Sequence, residues 1–188
     1  MNIGIEIELY FKDELLDVLD YFRNKYKNFK FTLDYKYSSI TELVFKTDPT
    51  IKGGVEINIP PYLFNSLEDI LNDVNKFNPY YSGNCCLHIH VGAENINIGK
   101  LYNYYKDNET EILDFAVKNG LTDRNHIILN KSVQEKVLKY QHMNIWQAYM
   151  NHNTVEHRIY KATTDYNKIK QCIDQTINII KQAGDNNE

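Results

Sequence analysis

Three observations predict a mixed α and β fold. Residues 3–10, 55–60, 85–93 and 154–161 alternate apolar with polar side chains, the period of a strand that buries one face. Elsewhere apolar residues recur at three- and four-residue steps, as Leu15, Leu19, Phe22 and Tyr26 do, which is the spacing of an amphipathic helix. Breakers such as Asn78-Pro79 and Asn119-Gly120 separate the segments. The 188 residues suffice for one domain with its own core over 1–183, followed by a frayed polar tail at 184–188.

Composition removes several classes of function. A formal charge of −4, with Lys and Arg interspersed among acids, provides no basic field for displacing counterions, so no nucleic acid is expected as partner. The opening Met-Asn-Ile-Gly-Ile-Glu-Ile-Glu lacks a cationic segment and breaks its apolar residues with acids, so no secretory signal is expected. No apolar run approaches membrane-spanning length, and no membrane is expected as partner. Three cysteines, two of them the adjacent Cys85 and Cys86, match neither a disulfide framework nor a zinc spacing. A reduced, cytoplasmic protein follows. The 15 tyrosines read as the codon bias of an AT-rich genome.

In chain order, residues 3–10 set Ile3, Ile5, Ile7 and Leu9 on one strand face and Gly4, Glu6, Glu8 and Tyr10 on the other. Asp13 is placed to cap a helix reaching about Lys27. Two short strands follow, at 30–37 and 42–47, with Ser38-Ser39 as the turn between them and Asp48-Pro49 as the stop. Gly53-Gly54 and Pro60-Pro61 bound the next strand, which buries Val55, Ile57 and Ile59 and carries Glu56 and Asn58 opposite. Ser66 with Asp69 resembles a capping box for a helix through Phe77.

The strand at 85–93 places Leu87, Ile89 and Val91 on one face and His88, His90 and Gly92 on the other. Asn97 caps a helix over 98–105, and helical spacing resumes at 109–118 until Asn119-Gly120 ends it. A further helix is predicted at 132–140. Residues 144–150 and 154–161 read as a hairpin around Asn151-His152-Asn153, the second arm setting Val155, His157 and Ile159 against Glu156, Arg158 and Tyr160. Ile169, Ile173, Ile177 and Ile180 mark a closing helix.

The polar strand faces select unusual residue types. A solvated face favours Thr, Ser, Lys and mixed charges, whereas these carry Glu6, Glu8, Glu56, His88, His90, Glu156 and Arg158. Carboxylates brought close together raise one another's pKa unless a cation intervenes. Glutamate oxygens suit Mg²⁺ or Mn²⁺, and added imidazoles tilt the set toward Mn²⁺ or Zn²⁺. Arg158 offers planar donors that match a phosphate or carboxylate. Each piece also has a plainer reading: Glu6 and Glu8 as a solvated face, the histidines as hydrogen-bonded structural groups, Glu156 with Arg158 as an ordinary ion pair.

Four motifs in order resemble the amidoligase family of phages, bacteria and fungi, within the carboxylate–amine ligases that include glutamine synthetase. They are Gly4-Ile5-Glu6-Ile7-Glu8; Asp48, then Gly54-Val55-Glu56-Ile57 and Pro60-Pro61; Cys85-Cys86-Leu87-His88-Ile89-His90-Val91-Gly92; and Thr154-Val155-Glu156-His157-Arg158-Ile159. Asn144 and Arg124 resemble further family positions. The resemblance implies an α+β, glutamine synthetase-like domain whose largely antiparallel sheet curves into a half-funnel with helices on one face.

It also implies ATP-dependent formation of an amide or isopeptide bond. The expected cofactors are ATP and Mg²⁺ or Mn²⁺, and the expected partners are small-molecule, peptide or protein carboxylates and amines, in a bacterial or phage-infected cytoplasm. Glu6, Glu8, Glu56 and His88 would bind metal, with Glu56 also catalytic. His90, Asn144 and Arg124 would contact nucleotide, with His90 open to metal as well. Arg158 would meet the transferring phosphoryl group, and Glu156 would hold metal or orient Arg158. Four positions depart from the pattern: Cys86 replaces a Gly, His157 an aromatic, and Pro49-Thr50 a small residue and Ser. A binding protein of the same fold without turnover, and a metal-dependent hydrolase, are the alternatives.

Overall fold

A computed structural model describes residues 2–39, 41–123, 143–144 and 153–185. The architecture is mixed α+β, with mostly antiparallel strand pairing and, among the described residues, four α-helices. None of these helices is long and apolar enough to cross a membrane. Backbone contacts divide the chain into two compact units, Asn2–Leu87 with Ala162–Tyr166, and His88–Lys161 with Asn167–Glu188.

In the first unit the alternating start of the chain forms β1 (Ile3–Phe11), whose Ile5, Ile7 and Leu9 are buried. Helix α1 (Leu15–Lys25) follows, and then β2 (Phe29–Thr32), β3 (Leu43–Thr47) and β4 (Val55–Ile59). A 3₁₀ turn over Pro61–Ser66 leads into α2 (Leu67–Asn75), and β5 (Pro79–Tyr80) pairs with β1. The strand order is β2-β3-β4-β1. Phe22 of α1 packs on Phe45 of β3, ring centroids 4.7 Å apart, and each such fully buried side chain contributes about 1.5–3 kcal/mol. Asp73 of α2 is buried and accepts from Tyr21 (2.7 Å), Tyr26 (2.6 Å), Lys25 (2.6 Å) and Lys76 (2.7 Å), tying α1 to α2. Burial pushes its carboxyl up, but the donors from Lys25, Lys76 and the two tyrosines prevail and hold it well below the usual range.

Several local expectations change. The strands at 30–37 and 42–47 are not arms of a hairpin: β2 and β3 are parallel, Phe29 opposite Leu43. The chain leaves β2 through a turn in which Asp34 N–H bonds Thr32 Oγ1 and Tyr37 N–H bonds Asp34 O, and it re-enters in the same direction. Asp13 is not the cap of α1; Glu14 holds that position, and Asp13 accepts from Asn78 instead. Ser66 makes no side-chain cap bond, because the preceding 3₁₀ turn already carries the chain into α2. Gly54 sits where the backbone crowds: a Cβ there would lie 2.9 Å from Leu9 O of β1.

The second unit begins within β6 (Cys86–Gly92), where Leu87, Ile89 and Val91 are fully buried as the alternation predicts. The two predicted helical pieces at 98–105 and 109–118 are one continuous helix, α3 (Ile98–Lys118). Asn97 caps it by accepting from Lys100 N–H at 3.0 Å, and Gly120 at φ +66° ends it. β7 (Met143–Asn144) pairs antiparallel with β8 (Thr154–Lys161), and α4 (Tyr166–Asp185) closes the chain. Strand order here is β6-β8-β7. The predicted helix at 132–140 and most of the first hairpin arm lie outside the described residues.

Tyr160, expected on the polar face of its strand, is wholly buried, its hydroxyl 3.0 Å from Thr176 of α4. His157 is buried too, beside Tyr105 of α3 at 6.4 Å between ring centroids.

Candidate functional site

Register carries the carboxylates of the first unit together. Glu8 on β1 faces Glu56 on β4, and Glu56 in turn faces Lys46 on β3, so three ionisable groups stand in one row across three strands. One row along, Glu6 faces Asn58, whose amide donates to Glu6 Oε1 at 2.9 Å. Asp48 follows Lys46 at the next position of the same parity. Single oxygens of Glu8, Asp48 and Glu56 all lie within 4.8 Å of one another.

Partners fix each of these groups. Glu8 Oε2 accepts the backbone N–H of Cys86 at 2.8 Å. Asp48 Oδ1 accepts Thr50 N–H at 2.6 Å and also the Thr50 hydroxyl. Thr50 therefore supplies a hydroxyl at the place where the family pattern has Ser. Lys46 Nζ sits 2.9 Å from Glu56 Oε1 and donates to Tyr37 O at 3.3 Å.

The polar face is far from solvated, since Glu8 and Glu56 are each only 4% exposed and Lys46 is 6% exposed. Burial, and then the charge of Glu6, raises the Glu56 carboxyl well above its usual value despite the pull of Lys46. Burial alone lowers the Lys46 ammonium, but Glu56, Glu6 and Asp48 raise it on balance. Two buried carboxylates, Glu8 and Glu56, and the half-buried Asp48 thus converge beside the Lys46 ammonium. That is the donor set of a hard divalent cation such as Mg²⁺ or Mn²⁺.

A second cluster belongs to the second unit and centres on one atom. Glu156 Oε1 accepts Arg158 Nε–H at 2.7 Å, and His88 Nδ1 and His90 Nε2 lie 3.4 Å and 3.8 Å from it. Glu156 is 5% exposed and Arg158 20% exposed by side chain, so the pair is anchored while the guanidinium still reaches solvent. Glu156 thus holds the Nε side of Arg158. His157, pointing the other way from the same strand, has no hydrogen-bond partner among the described residues. Burial drives its pKa down to about 3 and keeps it neutral.

Placed against the expected set, Glu8 and Glu56 come together in one unit and His88, His90, Glu156 and Arg158 in the other. Glu6 stands beside Asn58. Asn144 lies opposite Glu156 in register, and Arg124 lies outside the described residues. Cys86, at an expected glycine position, is not in the left-handed region, so its backbone needs no glycine.

Sequence reasoning missed Lys46 and gave Asp48 no chemical role. A signal was present: Val44, Lys46 and Asp48 share a parity, and a lysine two residues before an aspartate at a strand end marks a polar face. No protein-family model, curated protein or solved structure matches the chain. The family resemblance rests on the motif residues themselves.

Proposed function

We propose that this chain is an ATP- and divalent-metal-dependent carboxylate–amine ligase that forms an amide or isopeptide bond in a bacterial cytoplasm. The observation that carries the reading is the trio of the buried Glu8 and Glu56 with the half-buried Asp48, whose oxygens lie within 4.8 Å of one another. Support also comes from the order of the four strand motifs and from the Arg158–Glu156 pair.

In this reading a substrate carboxylate oxygen attacks the γ-phosphorus of ATP and ADP leaves. An amine nitrogen then attacks the acyl carbon, phosphate departs, and the nitrogen releases its proton. Phosphoryl transfer needs positioning and charge neutralisation more than covalent chemistry. Glu8, Asp48 and Glu56 would hold the cation, which when bound neutralises phosphate charge. Glu156 fixes the Nε side of Arg158, whose planar guanidinium would meet the phosphoryl oxygens. His88 and His90 flank that pair and offer further donors to nucleotide.

The test is phosphate release from ATP with Mn²⁺ or Mg²⁺ and pooled amino acids or peptides. Release that depends on metal and disappears in Glu8→Gln supports the ligase; release unchanged by Glu8→Gln and Arg158→Ala overturns it. One observation favours a second reading, a binding protein of the same fold without turnover: Lys46 already places an ammonium on Glu56. Nucleotide or metal binding without any phosphate release would select it.

A further inference from the structure

Helices α3 and α4 of the second unit enclose a cleft of about 470 Å³, within the size range of small-molecule sites. Its floor is apolar, with Ile112, Leu121 and Ile179, and Phe115 at its edge is 52% exposed. Its charged residues are of one sign. Glu111 and Asp174 line it, and no Lys, Arg or His does so among the described residues.

Three of the amides that line it give an N–H to the helix backbone. Asn108 and Asn119 give their N–H groups to Tyr104 O and Phe115 O of α3, each at 2.8 Å. Gln175 of α4 gives its N–H to Ile112 O at 3.0 Å. Gln175 is 8% exposed, and its Oε1 has no hydrogen-bond partner among the described residues. A buried acceptor of this kind is normally satisfied, and it stands at the wall of a space open to a ligand.

We propose that the α3–α4 cleft binds a small organic ammonium ion with an apolar body. The ammonium carries up to three donors and no acceptor, which matches the Glu111 and Asp174 carboxylates and the unpartnered Gln175 Oε1. Its body covers the apolar floor, and the exposed Phe115 ring offers a face to the cation. The inference stands on α3, the turn that follows it and α4, and does not depend on the ligase reading.

Phenethylamine and its uncharged counterpart 2-phenylethanol separate charge recognition from apolar filling. In an amide NMR titration of the full chain, phenethylamine produces saturable shifts in residues 104–121 and 171–182, and the alcohol binds at least about threefold more weakly. Glu111 and Asp174 are exposed, so the E111Q/D174N variant keeps the fold, and it loses at least about threefold in amine affinity. Gln175→Leu weakens the amine more than the alcohol. Equal affinity for amine and alcohol overturns the proposal. So does undiminished amine binding by E111Q/D174N, or the absence of saturable shifts at millimolar amine.

Discussion

Lys46 and Glu56 oppose each other across β3 and β4 with Nζ 2.9 Å from Oε1, both buried, so the ammonium sets a full positive charge against the clustered carboxylates of that row. Removing one partner of such a pair leaves a charge without compensation, which costs about 3–5 kcal/mol. Lys46→Met is expected to lower stability by about 3 kcal/mol in urea denaturation without metal. Mn²⁺ should restore much of that loss, because the cation takes over the neutralising role. If Lys46→Met is as stable as the parent without metal, the pair does not hold this row together.

The Glu56 carboxyl sits above its ordinary value of 4.5 because of burial and Glu6. A raised carboxyl makes the folded chain bind protons more tightly than the unfolded one. Its contribution to stability is therefore greatest below the unfolded value and declines as pH rises above about 4.5. Glu56→Gln should flatten that decline in stability measured against pH, and saturating Mn²⁺ should suppress it.

His157 has the opposite sign. Its pKa falls from 6.5 to about 3 through burial, so the unfolded chain takes up a proton that the folded chain refuses. Stability is lost as pH drops below 6.5, by up to about 1.4 kcal/mol per pH unit. His157→Phe, which supplies an aromatic ring for the same buried place, should remove this slope and raise stability near pH 5. A variant with the parent's slope would assign the acid sensitivity elsewhere.

Metal binding should be visible in melting. A ligand that binds only the folded chain adds about 2.7 kcal/mol at a hundredfold excess over its Kd. Mn²⁺ should raise the Tm of the parent chain, chelation should reverse the rise, and Asp48→Asn should abolish it. Asp48 also holds Thr50, so Thr50→Ala serves as the control that loses the hydroxyl bond and keeps the carboxylate.

In the ligase reading, Arg158→Lys should lower phosphate release by at least about 10²-fold, because an ammonium cannot reproduce the planar fork. Glu156→Gln should weaken release less. It keeps an acceptor for Arg158 Nε–H but loses the charge that holds the guanidinium in place. Steady-state phosphate assays on purified variants distinguish the two.

Features with a short period were legible in the sequence. The buried set Ile5, Ile7 and Leu9, the cap at Asn97 and the alternation of Leu87, Ile89 and Val91 needed only neighbours a few residues away. Features set by distant pairing were not. Nothing local places Glu56 opposite Glu8 rather than Glu6, since a shift of two residues preserves every face and only the fold chooses the register. The parallel pairing of β2 and β3 was hidden for a similar reason, because a short polar connection ordinarily signals a hairpin. Lys46 escaped notice because a single lysine on a strand is usually solvated, and its burial depends on carboxylates contributed by other strands.

The spacing of the carboxylates is governed by an atom that is missing. Gly54 carries no chemistry, yet the bare backbone at that point lets β4 come in against Leu9 O, immediately before Val55 pairs with Leu9 and Glu56 with Glu8. An alanine there would wedge against a backbone oxygen that has no side-chain freedom to yield, and the wedge would act one step from the first paired residue. The two strands would part or slip at the end where Glu8 and Glu56 meet. A methyl group at position 54 would thus disable the row as surely as removing one of its acids, while every acid was still present.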